Sequence, residues 1–251
     1  MIKVSNISKS FRGKQVLFDI SAEFHAGQVS QIIGKSGSGK TVLLKSIVGL
    51  HDINVGEVWY GDCEYSKADF SVRRAIRQEM GLVFQGGALF TSLTVEENVM
   101  LPLNMFSPLS KKEKLERVNF CLNRVDIKNA NKLFPAEISG GMQKRVAIAR
   151  AIVLNPKYLF CDEPNSGLDP QTSIVIDNLI RELTLEYNIT TVINTHDMNS
   201  IMEIGDQIIF IYEGKNWWQG TKNDIFSSGN IELNNFVFAS KLYQKIKNVA
   251  Q

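Results

Sequence analysis

Long apolar runs, paired cysteines and a strong net charge are all missing from this sequence, and each absence removes a class of protein. No stretch approaches the roughly 18 consecutive apolar residues of a membrane span. The longest candidates are short, such as Ile208 to Tyr212. If the protein serves a membrane, it does so through another chain. Cys63, Cys121 and Cys161 are an odd number, far apart and without metal spacing. They predict reduced thiols in a cytosolic protein, not a disulfide or zinc framework. Lys3, Ser5 and Asn6 interrupt any N-terminal apolar run, so no signal peptide is expected. With 28 basic and 26 acidic residues the net charge is +2, which argues against a nucleic-acid partner. Only 18 glycines and 6 prolines exclude collagen-like and mucin-like chains.

What is present is enough apolar material for a core. The chain has 251 residues, 44% of them hydrophobic and 22% charged, too apolar for a disordered protein. Strand-like and helix-like segments alternate, the pattern of an α/β fold with a parallel sheet. Ile2, Val4 and Ile7 open a strand, and Val29–Ile33, Val58–Tyr60, Gly81–Phe84, Tyr158–Cys161, Thr190–Asn194 and Gln207–Tyr212 read as others. Thr41–Leu50, Gln171–Tyr187 and Met198–Ile204 read as helices, and the pattern from Thr94 to Leu154 is mainly helical. Lys111, Lys112 and Lys114, mixed with Glu113 and Glu116, read as a solvated helix face. Trp217 and Trp218 fall in an expected hairpin as packing residues, and Asn223–Gln251 reads as a terminal helical segment. No composition shift marks a domain boundary.

Chemistry enters at Gly34-Lys35-Ser36-Gly37-Ser38-Gly39-Lys40-Thr41. Every fixed position of the phosphate-binding loop is filled, and it sits between an apolar strand and an amphipathic helix. The glycines let successive backbone N–H groups face the phosphates, and the helix start adds partial positive charge. Lys40 is expected to reach the β- and γ-phosphates, and Thr41 to place its hydroxyl on Mg²⁺. Asp162 and Glu163 follow a buried strand, at the end where α/β sheets bind ligands. Asp162 can hold Mg²⁺, through water, and Glu163 can polarise an attacking water.

A second anion site lies far along the chain. Ser139-Gly140-Gly141 precedes a helix marked by Met142, Val146, Ala149 and Val153. Ser139 is a natural N-cap, so the turn offers a hydroxyl, backbone N–H groups and a helix dipole. Two phosphate sites for one nucleotide are explained by a head-to-tail pair of chains, each closing over the other's nucleotide.

The ordered set Phe11, Gly34–Thr41, Gln85, Ser139–Gly141, Asp162–Glu163, Ser166–Asp169 and His196 resembles an ABC transporter ATP-binding subunit over most of the chain. The resemblance implies a P-loop NTPase (RecA-like) core with an antiparallel β lobe and an inserted α-helical lobe. It implies one nucleotide-binding domain over 1–251, with the helical lobe at approximately 87–155. Its cofactors would be ATP and Mg²⁺. Phe11 would stack on adenine. Gln85 would contact Mg²⁺ and water and sense the helical lobe. Ser139, Gly140 and Gly141 would touch the partner's γ-phosphate, Asp169 would lie near the dimer contact, and His196 would touch the γ-phosphate. His25 and His51 have no such context. The sequence departs from the family pattern at Met142, with Gln143 one place late, at Asn165, where Thr is common, and at Cys161.

Two strings narrow the resemblance. Phe84–Phe90 with Ser92–Val95 and Glu97–Val99, and Ser139–Arg145, are similar to the ATPases of Mce/Mla-type phospholipid transport systems. That subclass implies a separate integral-membrane permease, received after Gln85, and a lipid-binding substrate protein. The ATPase would be peripheral on the cytoplasmic face of the inner membrane. An ABC ATPase of another substrate class, a non-transport ABC ATPase or a regulatory ATPase of the cell envelope stay open as alternatives.

Overall fold

The computed structural model describes residues 1–239. In chain order the elements are β1 (Ile2–Phe11), β2 (Lys14–Phe24), β3 (Val29–Ile33), α1 (Lys40–Val48), β4 (Val55–Tyr60), β5 (Cys63–Glu64), α2 (Phe70–Gln78) and β6 (Met80–Val83). There follow α3 (Val95–Phe106), α4 (Lys111–Arg124), a 3₁₀ turn (Pro135–Glu137), α5 (Gly140–Ile152), β7 (Tyr158–Asp162), α6 (Pro170–Glu186) and β8 (Thr190–Thr195). The last are α7 (Met198–Ile204), β9 (Gln207–Tyr212), β10 (Lys215–Gly220), α8 (Asp224–Ser227) and α9 (Ile231–Val237).

The strands form two sheets, ordered β2-β1-β4-β5 and β10-β9-β3-β8-β7-β6. The first is antiparallel throughout. In the second, β9, β3, β8, β7 and β6 run parallel, and only β10 is reversed, as the arm of a hairpin with β9. Every residue of β3, β7 and β8 is buried, as parallel strands covered on both faces require. Strand alternation splits the core. Ile32, Phe160 and Val192 face one apolar cluster with α1 and the antiparallel sheet. Leu159, Cys161 and Ile193 face the other, which continues through α3, α4, α5 and α6. The helical segment therefore shares its core with the sheet. A third cluster joins Phe210 to α7, Leu233 and Val237, and Trp218 packs on it as the hairpin reading expects.

Strands β2 and β5 and helix α2 are not among the elements named from the sequence, and two of those that are named end differently. Helix α1 stops at Val48, short of Leu50, because Gly49 turns left-handed (φ 78°) and its N–H caps Lys45 O and Ser46 O. A side chain at Gly49 would strike the Tyr65 ring. The expected terminal helix is two short ones, α8 and α9, and its remainder from 240 on lies outside the described residues.

Asn98 pins the loop that leads from β6 to α3. It is fully buried in α3. Its Nδ2 donates to Phe90 O (3.1 Å), Leu93 O (3.0 Å) and Thr94 O (3.0 Å), and its Oδ1 accepts from Phe90 N (2.8 Å). Replacing Asn98 by Leu strands these backbone groups. Urea unfolding should show a loss of about 2–3 kcal/mol, the usual cost of buried unpaired polar groups.

Candidate active site

The loop 34–41 leaves β3 at the centre of the sheet and enters α1. Helices α2 to α7 and α9 each start with a side-chain cap, but α1 starts on Gly39 with none. Its first N–H groups are the orphans every helix leaves, and an anion is what would satisfy them. At Gly34 (φ 147°) a Cβ would meet Ile211 O and, at 2.8 Å, Ser38 Oγ, so the loop can curl there only as glycine. Ser38 Oγ is buried with no hydrogen-bond partner. Lys40 Nζ folds back onto the loop, donating to Gly34 O (2.8 Å) and Lys35 O (3.0 Å). Burial pulls its ammonium below the ordinary lysine value, while Glu163 and then Asp162 push the other way. Lys35, Ser36 and Gly37 form the exposed rim of the loop. An uncapped helix, an orphaned hydroxyl and a desolvated cation fit a triphosphate.

Three elements meet beside this loop. Thr41 Oγ1 donates to Asp162 Oδ1 (3.2 Å), and Asn194 Nδ2 donates to the same oxygen (3.0 Å). The groups present, a hydroxyl, a carboxylate and nearby amide oxygens, are the hard donors Mg²⁺ takes. Among the described residues there is no group of three or more His, Cys, Asp or Glu that could hold a metal ion.

Glu163 is the hub of the next cluster. It sits left-handed (φ 48°), a strained choice for glutamate, and its N–H donates to Asn194 O (3.0 Å). Gln85 Nε2 donates to its Oε2 (2.8 Å), and His196 Nδ1 lies 3.2 Å from its Oε1. Gln85 also approaches Ser166 Oγ (3.5 Å). Glu163, Ser166 and His196 border an open cleft of about 350 Å³.

The remaining expected residues stand apart. Ser139 and Gly140 are exposed at the start of α5, where Ser139 Oγ accepts from Met142 N (3.3 Å). Gly141 lies against Thr172, close enough that a Cβ would come within 2.7 Å of its methyl group. Asp169 caps α6 through Thr172 N (3.0 Å). This turn therefore packs beside its own Asp169 segment. Phe11 is 38% exposed at the end of β1, with Lys9 over its ring and His51 edge-on at 5.1 Å.

Several contributors escaped the sequence reading. Asn194 ties Asp162 to Glu163, and β8 carries four polar residues, so nothing but its burial marks Asn194 out. Lys144, buried in α5, donates to Gln85 O. Arg150 donates to Gly87 O (2.7 Å) and Ala88 O (2.7 Å). Helix α5 thus grips the whole Gln85 loop. Gln143, the displaced glutamine, instead braces the Ser139 turn from within, donating to Pro135 O (2.9 Å). His51 was given no role and is the neighbour of Phe11.

The "ABC transporter" family model matches residues 17–166 of this chain. The chain belongs to the ABC transporter family. It is 37% identical over 242 residues to the methionine import ATP-binding protein MetN of Clostridium tetani, covering 96% of this chain and 76% of that one. It is 39% identical over 230 residues to MetN 1 of Pseudomonas fluorescens, covering 90% and 69%. Among solved structures it superposes on the dimeric ABC transporter cassette MJ0796 with a TM-score of 0.81, at 33% identity, covering 88% of this chain and 98% of that one. It superposes on cbiO1 from Clostridium perfringens, part of the transporter complex cbiONQ, with a TM-score of 0.84, at 27% identity, covering 99% and 98%. The ABC cassette fold is thereby shown. The protein is an ATPase that uses ATP and Mg²⁺. The narrower resemblance to phospholipid-transport ATPases finds no support in these relatives, which are methionine importers.

Lys40→Ala should weaken MgATP binding by roughly 10-fold or more, the cost of losing a charge-assisted contact. Equilibrium titration with a fluorescent nucleotide measures it, and unchanged affinity would reject the assignment.

Proposed function

We propose that two copies of this chain close head to tail on ATP and drive a separate membrane permease. The observation that carries it is the exposed Ser139 turn, an anion site that its own phosphate loop does not use. The dimeric form of the MJ0796 cassette supports the same arrangement. Loop 34–41 and the partner's Ser139–Gly141 would then hold one γ-phosphate from opposite sides, with Asp169 at the contact and Phe11 against the base. Residues 87–155 act as the inserted helical lobe.

Bound Mg²⁺ would supply charge neutralisation on the phosphate oxygens, held by Thr41, Gln85 and Asp162. Glu163 orients the attacking water and takes its proton. His196 and Gln85 fix the Glu163 carboxylate from either side, and His196 also reaches the γ-phosphate. Lys40 carries positive charge to the transferred group.

Coupling runs through the Gln85 loop. Phe84, Ala88, Phe90, Pro102 and Phe106 line a groove of about 400 Å³ just beyond it, and Phe90 and Phe106 are exposed. An amphipathic helix of the permease suits such a groove. Among the described residues no helix is long and apolar enough to cross a membrane, so the ATPase would sit on the cytoplasmic face of the inner membrane by docking there. Cargo passes through the permease and touches none of these residues. The relatives' names support methionine as the cargo; the phospholipid reading, with a lipid-binding substrate protein, rests only on the local strings at 84–99 and 139–145 and finds no support in those relatives. Stimulation of the reconstituted complex by one cargo and not the other decides between them.

Glu163→Gln should bind ATP and dimerise while kcat falls about 10²–10⁴-fold, the usual contribution of a general base. Phosphate release and light scattering on the same sample check both halves. A variant that stays monomeric on ATP, even with its permease, would overturn the sandwich.

A further inference from the structure

A buried carboxylate that the chemistry above does not use lies behind the site. Asp177, on α6, is only 3% exposed. Its Oδ1 accepts from Ser200 Oγ (3.0 Å), on α7, and the Asn165 side chain hydrogen-bonds the same carboxyl. Ser200 is held in turn by Gln31 of β3, whose Nε2 donates to its carbonyl (3.1 Å) and its hydroxyl (3.3 Å). Asn165 keeps a buried Oδ1 with no partner, as expected if its amide N–H is committed to Asp177. Asn165 is one of the departures from the family pattern noted in the sequence.

The position of these partners is what matters. Asn165 lies in the loop between Glu163 and Asp169. Ser200 lies in α7, one turn after His196 and its neighbour Asp197, which caps that helix. The two donors follow that pair along the chain, Asn165 in the loop after Glu163 and Ser200 in the first turn of α7 after His196, and one carboxyl accepts from both. We propose that Asp177 is a positioning residue that yokes the Glu163 loop to the start of α7 behind His196, setting the distance between the water-activating Glu163 carboxylate and the His196 ring. The inference rests on the roles proposed above for Glu163 and His196.

An apolar residue would fill this place at less cost, since a buried charge needs compensation. Burial lifts the Asp177 carboxyl to about 6, against the pull of Asn165 and Ser200, and the Asp197 and Glu203 carboxylates on α7 add to the rise. The Cys161 thiol of β7 also faces it. The ionised form offers both donors a full acceptor, and protonation withdraws one. The folded protein holds this proton more tightly than the unfolded chain, so this one group's contribution to stability is fully present below the ordinary value of 3.8 and is lost as pH rises through about 6. The yoke is thus a feature that function keeps and stability opposes.

The test is steady-state ATP hydrolysis by the full-length protein with its permease, across about pH 5.5 to 8. Asp177→Leu should lower kcat about tenfold near neutral pH while KM for ATP changes less than twofold, a loss in the reacting complex and not in binding. Asp177→Asn should recover part of the rate and flatten the acid limb of the profile. Should Asp177→Leu not fold, Asn165→Ala and Ser200→Ala test the same idea. The two residues meet only through Asp177, so their effects on kcat should be strongly non-additive. Full kcat in Asp177→Leu, or effects of Asn165→Ala and Ser200→Ala that simply multiply, would overturn the yoke. Glu163→Gln run alongside keeps the failures apart: if it retains turnover, the catalytic assignment has failed, whatever Asp177 does.

Discussion

The junction of Thr41, Asp162 and Asn194 is the constraint on which the site depends. One carboxylate oxygen accepts from the first turn of α1 and from β8. Through Asn194 the same strand also holds the Glu163 backbone. These bonds join the phosphate loop, the acidic strand and the loop of His196 at one corner of the sheet. The Asn194–Asp162 bond is buried and the Thr41–Asp162 bond part-buried, so they are worth more than at the surface and costly to leave unmade. Thr41 and Asp162 would hold the cation, which would supply charge neutralisation to the phosphate oxygens.

Around that corner the molecule divides labour by strand alternation. Residues on one face of the parallel sheet pack under α1 and the antiparallel sheet, which carry the nucleotide loop. Residues on the other face pack under the helical segment, which carries the Ser139 turn and the groove. A single strand such as β7 therefore supports both halves, with Phe160 on one side and Leu159 on the other.

Much of this was legible in the sequence, for physical reasons that can be named. Strands β3 and β7 read as short apolar runs because parallel strands are buried on both faces, and β8 and β9 completed the alternation. The phosphate loop and Ser139 turn were legible because glycines and a capping hydroxyl have few other uses at that spacing. Strand β2 was not, since Asp19 sits left-handed and the pairing with β1 slips repeatedly, which breaks the period-two signal. Nor could sequence show that Gln85, Glu163 and His196 touch, because sheet order alone brings those loop ends together. Asn194, Lys144 and Asp177 look like ordinary polar residues until burial is known.

The grip of α5 on the Gln85 loop has a mechanical consequence. The helix has 13 residues, so it is a lever arm of about 20 Å. At one end is the Ser139 turn; about one turn along, Lys144 holds the Gln85 carbonyl, and near the far end Arg150 holds those of Gly87 and Ala88. A tilt of about 5° over that length carries one tip about 2 Å relative to the other. Whatever rocks the Ser139 tip must therefore swing the rim of the apolar groove, and the gearing is set by where along α5 the two basic side chains are mounted.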